Sequence, residues 1–228
     1  MLRLFIINRT IINRGCWEQG SKEDAGGYLM ARPKRIEGEK TAYERMEDAF
    51  WEMLSEMPYN AMTGKEICAR AQVSYNSFYY HFENLDDMAT RLFKSLMVDE
   101  LPMAVINAAG KHLSIVDKLA SVPDFDKRFE RIRLLAGSGS PFLIDLVRKS
   151  IMKAWLTAAG INEEDLTPAD KVDFIFVFGG YTTLLGSNLA SLNSEEFSTF
   201  FEREIGRGVI NKITTLAERK QTEETHSA

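Results

Sequence analysis

A chain of 228 residues, 45% hydrophobic and 27% charged, has the composition of an ordinary globular protein, large enough for one big domain or two unequal ones, and not that of a disordered or fibrous chain. Its net charge of −5 and pI near 5.4 exclude a generally basic protein that coats nucleic acid, because phosphate contacts need a basic face. Two distant cysteines, Cys16 and Cys68, suggest neither a disulfide framework nor a thiolate metal site, and His81, His112 and His226 lack the i, i+4 spacing of a zinc-binding helix, so a cytoplasmic protein without cofactor is expected.

Residues 1–29 begin with the apolar run MLRLFIINRTII, which Arg3 and Arg9 interrupt and no small-residue cleavage site follows, so a signal peptide fits poorly. The Gly-rich stretch after it has no helical period, and residues 1–29 are expected to be a disordered or over-extended N-terminus, with Met30 as the natural start. A short basic arm, Arg32, Lys34 and Arg35, comes next. Helix 1 is expected over 40–57, where Tyr43, Met46, Phe50, Met53, Leu54 and Met57 recur every three or four residues before Pro58 stops it. Thr63 with Glu66 forms a capping-box signal for a short helix that turns Ile67 and Ala71 inward. Ser74 caps a second short helix whose Phe78 and Phe82 face the core, and Asn84 caps a third that opens on Asp86 and Asp87.

The second half reads as helix throughout. Ser140-Pro141 opens a stripe of Leu143, Val147, Ile151, Trp155 and Ala158 that ends at Gly160. Thr167, Pro168 and Asp170 repeat the start signal before a helix of about 170–191. Its charge-free part, Phe174 to Ser194, carries Gly179, Gly180, Gly186 and several hydroxyl residues, and so reads as a buried helix, not a membrane span. Ser194 is expected to open one last helix with Phe197, Phe201, Ile205, Val209 and Ile213 at i+4 intervals, followed by a disordered tail over 220–228. No alternating strand pattern and no internal repeat is present, so the fold class expected is all-α.

Two short helices joined by a tight turn, the second burying one aromatic stripe and exposing polar side chains, are the helix-turn-helix arrangement that fits the major groove. The segment from Glu47 to Phe93, with its Ala-Phe pair, Pro-Tyr turn, Ile67, Ala71, Val73 and FYYHF before a capped acidic helix, resembles the DNA-binding domain of the tetracycline-repressor (TetR) family. The wording TGKEIC and FYYHF is nearest to a subgroup that includes regulators of dihydroxyacetone utilisation. The resemblance implies a three-helix DNA-binding domain over 30–94 and a helical effector-binding and dimerisation domain over 95–219. It further implies a homodimer that binds double-stranded operator DNA, acts as a repressor and answers to a small-molecule effector.

By that resemblance Lys65, Ser74, Tyr75, Asn76, Ser77, Tyr79, Tyr80 and His81 are the candidate DNA contacts, with Arg32, Lys34 and Arg35 as candidate phosphate or minor-groove contacts. Their chemistry permits it: Asn pairs bidentately with adenine, and Tyr, Ser and His hold phosphate oxygens. The sequence departs from the family pattern in three places. Gln72 stands where a glycine usually makes the turn, Leu85 stands where many relatives have a lysine, and the recognition helix has no Lys or Arg. Residues 30–94 hold nine basic against eleven acidic side chains, which predicts weak non-specific affinity.

The apolar segment VDFIFVFGGYTTLLGSNLASL, Val172 to Leu192, is the expected dimerisation helix, its Gly179, Gly180 and Gly186 allowing close approach. Phe142, Trp155, Phe174, Phe178 and Tyr181 are the candidate ligand contacts. An enzyme is not expected, since no nucleophile elbow, P-loop or dinucleotide fingerprint is present. The rival reading is a coactivator or partner protein that keeps this fold but binds DNA weakly or not at all.

Overall fold

The computed structural model describes residues 40–111, 113–187 and 193–226. Residues 1–29, the arm Arg32, Lys34 and Arg35, and the start proposed at Met30 lie outside the described residues. The described chain is all-α, with eleven α-helices, two short 3-10 turns and no strand among the described residues.

Each boundary in the first part is set by a cap. α1 (Ala42–Glu56) starts at Thr41, whose hydroxyl accepts the Glu44 amide while the Glu44 carboxylate takes the Thr41 amide at 2.6 Å. It stops at Met57, extended at φ −145 and ψ 158 because the ring of Pro58 excludes the helical conformation from the residue before it. A 3-10 turn at Tyr59–Ala61 leads to α2 (Gly64–Arg70), capped by Thr63, then α3 (Tyr75–His81), capped by Ser74, then α4 (Leu85–Leu96), capped by Asn84. Phe50, Phe78, Phe82 and Phe93 are fully buried where these four helices meet, each contributing roughly 1.5–3 kcal/mol.

The remaining helices are α5 (Leu101–Gly110), α6 (Ile115–Ala120), α7 (Phe125–Ala136), α8 (Pro141–Ala158), α9 (Pro168–Leu185), α10 (Ser194–Phe200) and α11 (Glu204–His226). Leu135, Leu143, Val147, Phe174, Phe178 and Phe197 continue the core begun by α1–α4, so buried side chains run unbroken from the short helices into the larger bundle. α8 ends in a Schellman turn: the Ile161 amide reaches the Leu156 carbonyl at 2.9 Å, the Gly160 amide reaches Thr157 at 3.0 Å, and Gly160 has φ +69.

Three boundaries differ from the sequence expectation. α9 ends at Leu185 and not near 191, because Gly186 lies against the end of α7, where a Cβ on it would stand 2.5 Å from the Ala136 carbonyl oxygen. The single last helix is two, broken over 201–203; Ser194 opens α10 as expected, with Asn193 as its cap. There the chain folds back so tightly that a Cβ on Gly206 would meet the Phe200 carbonyl oxygen, and Ile205 is thrown off the buried stripe to 74% exposure. Beyond residue 220, where a tail was expected, α11 continues to His226, and Lys220 donates to the Gly160 carbonyl and to the Asp165 carboxylate.

Asp170 fastens α9 to α11. It is 3% exposed, completes the capping box with Thr167 and pairs with Lys212 at 3.0 Å and Arg219 at 3.2 Å. The hydrogen bond from Thr167 and the two cations hold its carboxyl far below the ordinary carboxylate range. Its contribution to stability is therefore complete above the unfolded value near 3.9 and drains as pH falls below it toward the depressed folded value. Asp170→Asn is expected to lose roughly 1.5–3 kcal/mol at pH 7, with the gap to wild type narrowing toward pH 2, read by thermal denaturation at both pH values.

Candidate nucleic-acid interface and internal cavity

The turn between α2 and α3 is a second Schellman motif. The Val73 amide bonds the Cys68 carbonyl at 3.0 Å, the Gln72 amide bonds Ala69 at 3.3 Å, and Gln72 occupies the left-handed position at φ 54. A glutamine there carries a steric cost that glycine avoids, roughly 1–2 kcal/mol. The Arg45 guanidinium donates to the Gln72 carbonyl at 3.5 Å and helps to hold the turn. Gly64 lets α2 rest on the Phe78 ring, since a Cβ there would already lie 3.1 Å from it.

With Phe78 and Phe82 anchored, α3 turns its other face outward. Tyr75, Tyr79 and Tyr80 are 46%, 57% and 80% exposed, Asn76 is exposed, and Ser77 and His81 are half-buried. The Tyr75 and Tyr79 hydroxyls share a hydrogen bond of 2.8 Å, which raises the Tyr75 phenol above its ordinary value. Tyr79 is therefore a surface residue. His81 packs between Tyr43 and Tyr80, and the Ser74 hydroxyl is engaged in the cap, bonded to Ser77. Leu85 is half-buried against the core.

Charge on this head is largely consumed internally. Lys40 pairs with Asp48, Arg70 with Glu56, and Arg91 with Asp87, at 2.6, 2.7 and 2.9 Å. Lys65, exposed on the first turn of α2, has no ion pair among the described residues, whereas Arg70, which borders the turn, is held by Glu56. At the base of α4 the Tyr59 hydroxyl donates to Asp86 at 2.6 Å, and burial together with that carboxylate pushes its phenol well up.

Two arginines of α7 tie this head to the bundle, and a third ties α7 to α9. Arg128 donates to the Ser95 and Leu96 carbonyls at the end of α4, at 2.9 and 3.0 Å. Arg131 pairs with Glu47 of α1 at 2.8 Å and lies 4.8 Å over the ring of Trp51. Arg133 donates to the Leu185 and Ser187 carbonyls at the end of α9, at 3.4 and 3.1 Å. Sequence reading missed all three, because charged residues at these spacings look like a solvated helix face.

The face of α7 that carries Phe125, Arg128, Phe129 and Ile132 lines a cavity of about 100 Å³. Trp155 and Tyr181, two of the candidate ligand contacts, line it together with Phe125, Phe129, Phe197 and Phe201, and Arg128 is the one charged residue on its wall among the described residues. The other three expected ligand contacts lie elsewhere. Phe142 is 39% exposed and stacks on Tyr59, while Phe174 and Phe178 are buried against one another along α9. Aromaticity alone chose them, whereas the side of the helix decides which rings meet the cavity. Phe125, Phe129 and Ile132 were legible at i, i+4 and i+7 but were not singled out.

The strained turn yields a test. Gln72→Gly is expected to leave stability unchanged or raise it by up to about 1 kcal/mol, since relief of the left-handed position is partly offset by glycine entropy. Gln72→Val, β-branched at positive φ, is expected to lower it. Urea denaturation of both variants reads the outcome.

Residues 48–92, from within α1 to within α4, match the family described as bacterial regulatory proteins, tetR family. No curated protein matches the chain. Among solved structures the chain is similar to the TetR family repressor AlkX from Dietzia sp. strain DQ12-45-1b, implicated in biodegradation of n-alkanes, at 14% identity and a TM-score of 0.38, over 79% of this chain and 99% of that one. A similarity that distant bears on neither ligand nor operator. The segment that holds the Schellman turn at Gln72 and the outward face of α3 is thus a TetR-type helix-turn-helix domain.

Proposed function

We propose that the protein is a sequence-specific, double-stranded DNA-binding transcriptional regulator, a repressor by family resemblance, that works as a homodimer and whose operator affinity a small-molecule effector changes. The observation that carries this reading is the outward face of α3, where Tyr75, Asn76, Tyr79 and Tyr80 stand exposed on a helix fixed from behind by Phe78 and Phe82. Lys65, Ser74, Ser77 and His81 flank that face. The sequence wording supports a place near the dihydroxyacetone-utilisation regulators. The domain division at residue 94 stays part of the proposal.

Dimerisation is supported by α9. Its inner side is buried at Asp170, Phe174, Phe178 and Thr182, whereas Val172, Ile175 and Phe176 on the outer side are 66%, 58% and 82% exposed. Among the described residues nothing beyond their own helix backbone and chain neighbours lies over Gly179 and Gly180 within 4 Å of where a Cβ would stand, so a partner helix has room to approach. An exposed apolar row beside small residues on one helix is the kind of face that a second copy of the chain covers in a two-fold dimer. Effector control is supported by α7, which shares one wall with the cavity while Arg128 and Arg131 grip α4 and α1. A ligand that displaces α7 alters the set of both reading helices, and a coupling of about 1–3 kcal/mol changes operator affinity roughly 5-fold to 150-fold.

The rival, a partner protein with little DNA binding, draws on the absence of any cation in α3 and the ion pairing of Lys40, Arg70 and Arg91. Mobility shift against the protein's own upstream DNA at low salt separates the two. Binding to an imperfect palindrome with half-sites about 34–36 Å apart, or a multiple of that, is expected; no shift at any salt concentration favours the rival. Tyr79→Phe and Asn76→Ala are expected to weaken operator binding, the latter by about 1–3 kcal/mol, with thermal stability held within about 0.5 kcal/mol. Phe176→Glu is expected to give a folded monomer in sedimentation and to abolish the shift.

A further inference from the structure

We propose that the cavity beside α7 accepts a neutral, single-ring aromatic molecule bearing one hydroxyl, a phenol, and that Tyr181 recognises that hydroxyl; this rests on the reading of the chain as a ligand-responsive regulator. Six aromatic side chains, Phe125, Phe129, Trp155, Tyr181, Phe197 and Phe201, surround the space. They are already arranged as rings receive rings. Phe129 and Phe197 are tilted at 4.9 Å between centroids, Tyr181 meets Phe197 edge-on at 4.9 Å, and Trp155 stacks on Phe201 at 5.8 Å.

Size sets the class. The cavity of about 100 Å³ is smaller than an engineered apolar cavity of about 150 Å³ that stays dry and takes up benzene. One ring is therefore the limit, and its entry has to move a wall outward, which a long chain or a fused ring system does at greater cost.

Polarity sets the substituent. Arg128 is the only charged residue on the wall, and its Nε and Nη1 are engaged with the carbonyls of Pro123, Ser95 and Leu96 at 3.1, 2.9 and 3.0 Å. A carboxylate brought to this apolar wall loses its hydration and, with Nε and Nη1 already taken, finds only Nη2 and no bidentate grip, so an anion is disfavoured. The Tyr181 hydroxyl, by contrast, has no hydrogen-bond partner among the described residues. Burial pushes its phenol up, so it stays protonated and can both donate and accept. A ligand with a single hydroxyl satisfies that one group and leaves the rest of its surface to the rings.

Isothermal titration of the full-length protein with phenol, benzene and benzoate tests this. Phenol is expected to bind roughly 2-fold to 12-fold more tightly than benzene, the effect of one neutral hydrogen bond, and benzoate most weakly. Tyr181→Phe is expected to bring phenol down to the benzene value while benzene binding persists, which also reports that the variant is folded. Benzoate binding best, no heat from phenol or benzene, or a phenol preference that survives Tyr181→Phe overturns the proposal. Operator binding measured on the same preparation keeps the two readings apart: a mobility shift without phenol binding overturns the ligand class alone, and phenol binding without any shift overturns the regulator reading alone.

Discussion

The three arginines of α7 are the constraint on which the rest of the structure depends. Within two turns of one helix, Arg128 takes the terminal carbonyls of α4, Arg131 takes Glu47 and the Trp51 face of α1, and Arg133 takes the terminal carbonyls of α9. Helix C-termini carry partial negative charge and unsatisfied acceptors, so a guanidinium there serves both needs at once. Arg131 and Glu47 are only 16% and 23% exposed, which places them among pairs that salt screens little and whose loss leaves a partly buried charge behind. The helices α1 and α4 that flank α3, the apolar helix of the proposed dimer and the aromatic cavity are thereby all referred to one element.

That arrangement explains how an acidic chain can carry a DNA-reading domain. Affinity for phosphate comes from unpaired cations, and on this head three of the basic side chains are tied to carboxylates. What α3 offers is hydroxyls, an amide and an imidazole, groups that discriminate more than they attract. Such a head depends on placement more than on charge, and placement is what α7 controls.

Much of the fold was legible because helix boundaries are local chemistry. Thr63, Ser74, Asn84, Ser140 and Thr167 each cap the helix that their hydroxyl or amide announces, and Gly160 stops α8 through the left-handed conformation. The outward face of α3 was legible for the same reason, since burying Phe78 and Phe82 settles which residues remain outside. Illegible were features fixed by contact across the chain. The stop at Gly186 comes from the backbone of α7, and the break after Phe201 comes from the fold-back at Gly206. The wall of the cavity depends on which side of α9 meets α10, so Tyr181 lies on it and Phe174 and Phe178 do not. Gln72 falls between the two groups: the departure from glycine was visible, but that the turn keeps its left-handed geometry was not.

The two sides of α9 answer to different demands. Phe174, Phe178 and Thr182 are locked into the subunit, so almost any change there disturbs the fold itself. Val172, Ile175 and Phe176 touch only what lies outside, so they can vary while the subunit folds as before. In the proposed dimer, partner choice is therefore an independently adjustable property. After gene duplication, a few exchanges of side-chain shape along this outer row suffice for two descendant chains to stop pairing with one another, each keeping its helix-turn-helix and its cavity intact.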